Sequence, residues 1–192
     1  LNEKQFIESL KRGDRAAYEA LFLQFKDKVL NTCLGFVPNQ HDAEDICQEV
    51  FVKVFKTVKD FKGDAKLSTW IYRIAVTESL QHIRSRKRKK RMAFFQALVG
   101  LDNEAVNVAD DSYQHPGVQL ENKERAKVLF QHIESLPDNQ RAVFTLHKVE
   151  GLAYKEIAEI LDVSLSSVES LMFRARKNLK KKLTTYYTKQ MI

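Results

Sequence analysis

From Ala43 to Val58 the apolar side chains Ala43, Ile46, Cys47, Val50, Phe51, Val54, Phe55 and Val58 recur at spacings of three and four. That period belongs to an α-helix; a strand would need alternation with period two. The apolar face is wide enough for the core of a helical bundle. The pattern is repeated upstream, where Ala17, Leu21, Phe25 and Cys33 share one side and Tyr18, Phe22, Val29 and Leu30 widen it. With only 6 Gly and 3 Pro in 192 residues, the chain also lacks the turns that a sandwich or barrel requires. The expected fold is all-α.

Breaks in periodicity divide the chain into three parts. In residues 1–91, Asn2 and Gln5 suggest a capping box for a short helix carrying Phe6, Ile7 and Leu10. Pro38 and Asn39 separate the next two helices, and KDFKGDAK (59–66) is a loop. Ser68 is the expected N-cap of a helix running through Trp70, Ile71, Ile74, Ala75 and Ile83, which completes an N-terminal bundle. Residues 92–121 lose periodicity and form an expected flexible acidic linker, with a short helix near Met92–Val99. In residues 122–192, Pro137 is expected in the first turn of a helix that Gly151 ends. A short helix from Tyr154 to Leu161 follows, then a tight turn at Asp162 and Val163. The last helix turns Val168, Leu171, Met172, Ala175 and Leu179 inward.

Charge is more informative than size. RSRKRKKR (84–91) holds seven basic side chains in eight, and Ser170–Ile192 holds seven basic residues and no acidic one. Residues 101–121 between them carry five acidic residues and no Lys or Arg. Two basic patches around an acidic stretch point to a polyanion touched at two places. Solvated helix C-termini would also favour Lys and Arg, but seven in eight exceeds what capping requires. Cys33 and Cys47 lie in apolar-periodic segments without metal or redox spacing, so they read as buried thiols in a reducing compartment. No signal peptide or long apolar run appears, so a cytoplasmic protein without direct membrane insertion is expected. A first residue of Leu1 suggests a trimmed N-terminus.

A helix of eight residues, a tight turn and a longer basic helix form the pattern of a helix-turn-helix, whose second helix enters the major groove. Its outward positions are Ser166, Ser167, Glu169, Ser170, Phe173, Arg174 and Lys177. The small residues permit close approach, Arg174 suits guanine and Phe173 a thymine methyl, while Lys177, Lys180 and Lys181 suit phosphates. Glu169 would repel the backbone, but it can accept from cytosine N4 or pair with an arginine one turn on. The competing interpretation is an ordinary surface helix.

In the N-terminal part, Phe61, Trp70, Tyr72 and Arg73 precede the basic run. Aromatics beside a cationic rail suit single-stranded DNA. Trp70 fits the core equally well, whereas Tyr72 and Arg73 are expected to be exposed. Lys62, Gly63, Asp64 and Lys66 lie in a loop suited to an extruded base. Asp45, Gln48 and Glu49 make a polar face on a wide apolar helix, suited to protein docking. Asp42, Asp45 and Glu49 also admit a shared cation, but no His or second helix converges on them.

These motifs together resemble the sigma-70 family of bacterial RNA polymerase sigma factors, specifically the short extracytoplasmic-function (ECF) group. They are DAEDICQEVFVKVF (42–55), FKGDAKLSTWIYRIA (61–75) and YKEIAEILDVSLSSVESLMFRARKNL (154–179), in the family's order. The resemblance assigns 1–91 to sigma region 2 and 122–192 to sigma region 4, with 92–121 passing through polymerase. It implies core RNA polymerase docking at Asp45, Gln48 and Glu49. It implies −10 element recognition and melting by Phe61, Lys62, Gly63, Asp64, Lys66, Trp70, Tyr72, Arg73, Thr77, Gln81 and Arg84. The −35 element would be read by Ser167, Glu169, Ser170, Phe173, Arg174 and Lys177. Departures from the usual family residues fall at Thr77, Gln81, Glu169 and Leu171, and bear on promoter preference. Core RNA polymerase, duplex and single-stranded promoter DNA and an anti-sigma factor are the implied partners, with no cofactor and no enzymatic step. Two alternatives remain open at this point: a stand-alone helix-turn-helix regulator whose N-terminal bundle senses or dimerises, and a metal-dependent helical nuclease.

Overall fold

The computed structural model describes residues 2–37, 39–98 and 123–190, and within them all regular structure is helical. The helices are α1 (Glu3–Lys11), α2 (Arg15–Phe36), α3 (Gln40–Thr57), α4 (Leu67–Leu98), α5 (Lys123–Glu134), α6 (Asp138–Lys148), α7 (Tyr154–Leu161) and α8 (Leu165–Gln190). A 3₁₀ turn, Val58–Asp60, extends the end of α3.

Helices α2, α3 and α4 pack on one another, as the periodicity demands. Leu21, Val29 and Cys33 of α2 meet Ala43, Ile46, Val50 and Val54 of α3 and Ile71 and Ala75 of α4 in a buried core. Each fully buried aliphatic side chain there stabilises the fold by about 1.5–3 kcal/mol before conformational entropy is counted. Phe22 and Phe55, expected on the inner faces, instead keep 46% and 58% of their surface exposed. They lie at the margins of stripes wider than their partners can cover. The thiols of Cys33 and Cys47 are buried and free, and burial pushes them up to about 12 and about 11, well outside the reactive range.

Several helix ends differ from expectation because capping is decided by geometry. Asn2 flanks α1 without a side-chain cap. Asp14 instead accepts from the amides of Ala16 and Ala17 at the start of α2, and Asn39 caps α3 through the Asp42 amide. Ser68 lies inside the first turn of α4, whose Leu67 amide donates to Glu3 Oε1 at 3.3 Å. Pro137 precedes α6 as its N-cap. Residues 92–98 are the continuation of α4, so the separate short helix expected there is absent from 92–98. Pro38 and linker residues 99–122 lie outside the described residues.

Helices α6, α7 and α8 form the second group, around Val143, Leu146, Ile157, Val168 and Met172. The turn between α7 and α8 places Asp162 at φ 54°, ψ 52°; a short polar side chain tolerates this left-handed conformation better than most. The two groups share one continuous core, with α4 against α7 and α2 against α6. They approach tightly at Gly35, where a Cβ would collide with Thr145 Cγ2. Thr145 Oγ1 donates to the Gly35 carbonyl at 3.0 Å across this boundary.

Candidate nucleic-acid interface

The α7–turn–α8 unit presents the surface expected of a groove reader. Ser164 Oγ accepts from the Ser167 amide at 3.2 Å, starting α8 as its preferred cap chemistry predicts. Val168, Met172, Ala175 and Leu179 seat the helix. The opposite face leaves Ser166, Glu169, Ser170, Arg174 and Lys177 exposed, with Phe173 at 68%. An exposed aromatic of that size beside an arginine has no role in the core. Ser167 is half-buried, and its hydroxyl lies 2.8 Å from that of Ser164, so it shapes the helix entry. Lys180 and Lys181 continue the basic rail, while Lys182 turns back to Ser135 Oγ at 2.5 Å.

The N-terminal candidates divide into open and covered groups. Lys62, Gly63, Asp64, Lys66, Thr77 and Gln81 are exposed, although Thr77 Oγ1 also donates to its own helix at the Arg73 carbonyl, 2.7 Å away. Phe61 is buried beneath half-buried Trp70, their ring centroids 5.0 Å apart. The expected exposure of Tyr72 and Arg73 does not occur. Tyr72 is 8% exposed and its hydroxyl donates to Glu150 Oε2 at 3.2 Å. Burial, then the Glu150 charge, raises the tyrosine pKa. Arg73 Nε donates to the carbonyls of Glu159 and Ile160 at 3.2 and 3.1 Å, where the negative end of α7's dipole adds attraction. Arg84 is paired with Asp138 at 2.8 Å. The second helical group supplies all three partners, from positions 54 to 87 residues away in the chain.

Asp45, Gln48 and Glu49 are exposed and line one hollow with Val52, Lys53 and Glu78, the last two ion-paired at 2.5 Å. Val52 and Phe55 add exposed apolar surface on the same helix. Asp42 stands apart, its carboxylate 3.2 Å from Arg86 and 3.7 Å from His82. These pairs remove it from the acidic trio considered for a cation, and no group of metal-ligating residues is present among those described. Glu150 and Thr145 were missed from sequence because nothing local marks them. Gly35 did carry a signal: a helix-interior glycine costs about 1 kcal/mol relative to alanine and so marks a close approach.

A helix-turn-helix with an exposed polar recognition face, beside a bundle bearing a basic helix, defines a DNA-binding protein. Two family models match it: Sigma-70 region 2 over residues 21–89 and Sigma-70, region 4 over residues 127–179. The chain belongs to the sigma-70 family, as an ECF sigma factor. It is 30% identical to the RNA polymerase sigma-H factor of Pseudomonas aeruginosa over 191 residues, covering 94% of this chain and 93% of that one. It is also 30% identical to the ECF RNA polymerase sigma-E factor of Escherichia coli, over 95% of each chain. Among solved structures, CnrH in complex with the cytosolic domain of CnrY shares the fold with a TM-score of 0.65, at 20% identity, covering 95% of this chain and 97% of that one. The sigma factor RpoE of Bartonella quintana, in complex with the anti-sigma factor NepR, gives a TM-score of 0.58 at 20% identity, covering 87% and 96%. No described helix is long and apolar enough to cross a membrane.

Proposed function

We propose that this chain directs transcription initiation as a dissociable subunit of RNA polymerase, binding the core enzyme and reading promoter DNA at two places. The observation that carries this reading is the pairing of an exposed recognition face on α8 with a separate exposed acidic and apolar face on α3. The α3 face, with Asp45, Gln48, Glu49 and Val52, serves as the core polymerase dock. The loop carrying Lys62, Gly63, Asp64 and Lys66, together with the Trp70–Arg84 stretch of α4, holds the −10 strand. Ser170, Phe173 and Arg174 read the −35 element, Glu169 adjusts its sequence, and Lys177 holds phosphate.

In this division, residues 1–91 act as region 2, 92–121 as the connecting segment and 122–192 as region 4. No covalent step is involved: melting draws on tighter binding to the open strand than to the duplex. An anti-sigma factor is a further partner in this design, as the complex of RpoE with the anti-sigma factor NepR illustrates for that protein. Reconstitution with core polymerase on a promoter library tests the proposal. Specific initiation that depends on the chain is expected. Tight duplex binding by the chain alone, without polymerase-dependent initiation, would instead establish a stand-alone regulator.

A further inference from the structure

Helix α4 runs for 32 residues, but the bundle buries little beyond its first half. Ile83 is its last buried side chain among those described. Beyond it the helix carries Lys87, Arg88, Lys89, Lys90 and Arg91, all exposed. Arg84 and Arg86, one turn earlier, are paired with Asp138 and Asp42. The next five cations have no ion-pair partner among the described residues. We propose that residues 87–91 are a third DNA contact, which grips backbone phosphates of the duplex between the −10 and −35 elements. This rests on the promoter reading proposed above and gives it a site that neither the −10 nor the −35 face includes.

Ordinary helix chemistry does not account for this run. Cations near a helix C-terminus are favoured by the macrodipole, but that effect falls off within the last turn. Residues 87–91 lie about two to three turns before Leu98, and the last turn itself holds no basic residue. Within the run, Lys87 meets Lys90 and Arg91 at spacings of three and four, and Arg84 and Arg88 repeat the pattern. Like charges at these spacings destabilise an isolated helix, and the run has no acidic residue to offset them. A polyanion removes that repulsion as it binds. Five successive residues, about 100° apart, point to every side of the helix, so the run has no apolar face to seat on protein. Charges on all sides suit a groove walled by phosphate.

Position selects which DNA is met. Thr77, in the strand-reading stretch, and Lys89, in the middle of the run, are about 18 Å apart along one helix, at about 1.5 Å per residue. That is the rise of about five base pairs. The C-terminal end of α4 is also the end from which the chain continues to the −35 reader, so the run lies upstream of the −10 strand, over paired DNA. Phosphate contacts there carry no sequence information; they add affinity and hold α4 in register on the duplex.

The test compares the wild type with a variant in which Lys87, Arg88, Lys89, Lys90 and Arg91 are all replaced by Gln, a helix former of similar propensity without charge. These positions are exposed, so the core is untouched, and circular dichroism checks the fold. Arg88→Gln combined with Arg91→Gln serves if the full replacement does not fold. Each full-length chain is first titrated with a fluorescent pool of random duplexes at several salt concentrations. Loss of two or three phosphate contacts lowers the salt slope by about 2–3, and the double variant lowers it by about 1–2. Raising the salt about fourfold therefore weakens the wild type about 10- to 40-fold more than the full variant. Holoenzyme on a promoter recovered from the library is then scanned with neutral methylphosphonate links. Links about three to seven base pairs upstream of the −10 element should weaken the wild type and leave the variant unaffected. An unchanged salt slope in the folded variant overturns the contact. A lower slope with no footprint between the two elements overturns its placement on the spacer. Lack of chain-dependent initiation defeats the promoter reading and this placement with it, and is told apart from a failed contact because the salt slope is measured without polymerase.

Discussion

Arg141 tests whether the helix-turn-helix owes its mounting to a buried cation. The side chain is 0% exposed. Its Nη2 donates to the Glu134 carbonyl at the end of α5, and also to the Leu136 carbonyl at 3.3 Å. Burial pushes its pKa down, with the charges of Glu134 and Asp138 opposing that shift. Leu136 and Ile133 in turn pack on Ala175 and Leu179 of α8, so Arg141 fixes the support beneath the recognition helix. Arg141→Ala removes two charge-assisted hydrogen bonds worth about 1.5–3 kcal/mol each, leaves both carbonyls without this donor and opens a cavity. Relief of a desolvated charge offsets part of the loss, leaving a net cost of about 3–5 kcal/mol. For a chain of this size that lowers Tm by about 6–20 °C. Arg141→Met refills most of the volume but cannot donate, so it costs about 1–3 kcal/mol. Urea unfolding of the two variants beside wild type checks the order. A Met variant as stable as wild type would refute the hydrogen-bond argument and leave only space-filling; an Ala variant within about 1 kcal/mol of wild type would refute both.

Arg174→Ala should cost about 1–3 kcal/mol at a matched −35 site and much less at a mismatched one, as measured by holoenzyme binding to the two; equal losses would remove Arg174 from sequence reading. Lys181→Ala should instead weaken all sites alike and reduce the salt slope by about 0.9, and a change in sequence preference would count against a pure phosphate contact. Asp14→Ala should destabilise the chain by about 1 kcal/mol by freeing the Ala16 and Ala17 amides at the start of α2, and denaturant titration decides it. Stability should depend on pH through Glu150, which meets Tyr72 where the two helical groups pack. Burial raises its pKa, against the hydroxyls of Tyr72 and Thr32 and the Lys28 charge, and Cys33 and Tyr72 are the other titrating groups facing it. A carboxyl whose pKa is raised in the folded chain binds its proton more tightly there than in the unfolded chain. Its contribution to stability is therefore fully present below the ordinary glutamate value and is lost as pH rises through the raised one. Urea unfolding across that range should show this contribution to stability falling as pH rises, and Glu150→Gln should remove it; an identical trend in the variant would assign it elsewhere.

Local pattern explains how much was legible in advance. The helix Tyr154–Leu161, the turn at Asp162 and the buried set Val168, Met172, Ala175 and Leu179 follow from spacing, because a helix that must bury one stripe advertises it every three or four residues. Caps were less legible. Whether Asn2 or Asp14 uses its side chain depends on rotamers and neighbouring backbone, and the α4 amide at Leu67 is met by Glu3 from another helix entirely. The continuation of α4 to Leu98 was obscured because its basic stretch is largely exposed and buries no stripe to mark it.

By itself, then, the sequence determined an all-helical chain, the position of its helix-turn-helix, its two basic segments and the acidic face of α3. These depend on periodicity and charge within single elements. Only the tertiary structure decided that Tyr72 is buried and Arg73 half-buried and engaged, while Phe173 and Arg174 are exposed. Both pairs are an aromatic followed by an arginine on a basic helix, and nothing within a few residues tells them apart. The difference lies in partners 78 to 87 residues distant and in the bare backbone of Gly35, which lets one helix come near enough to reach them.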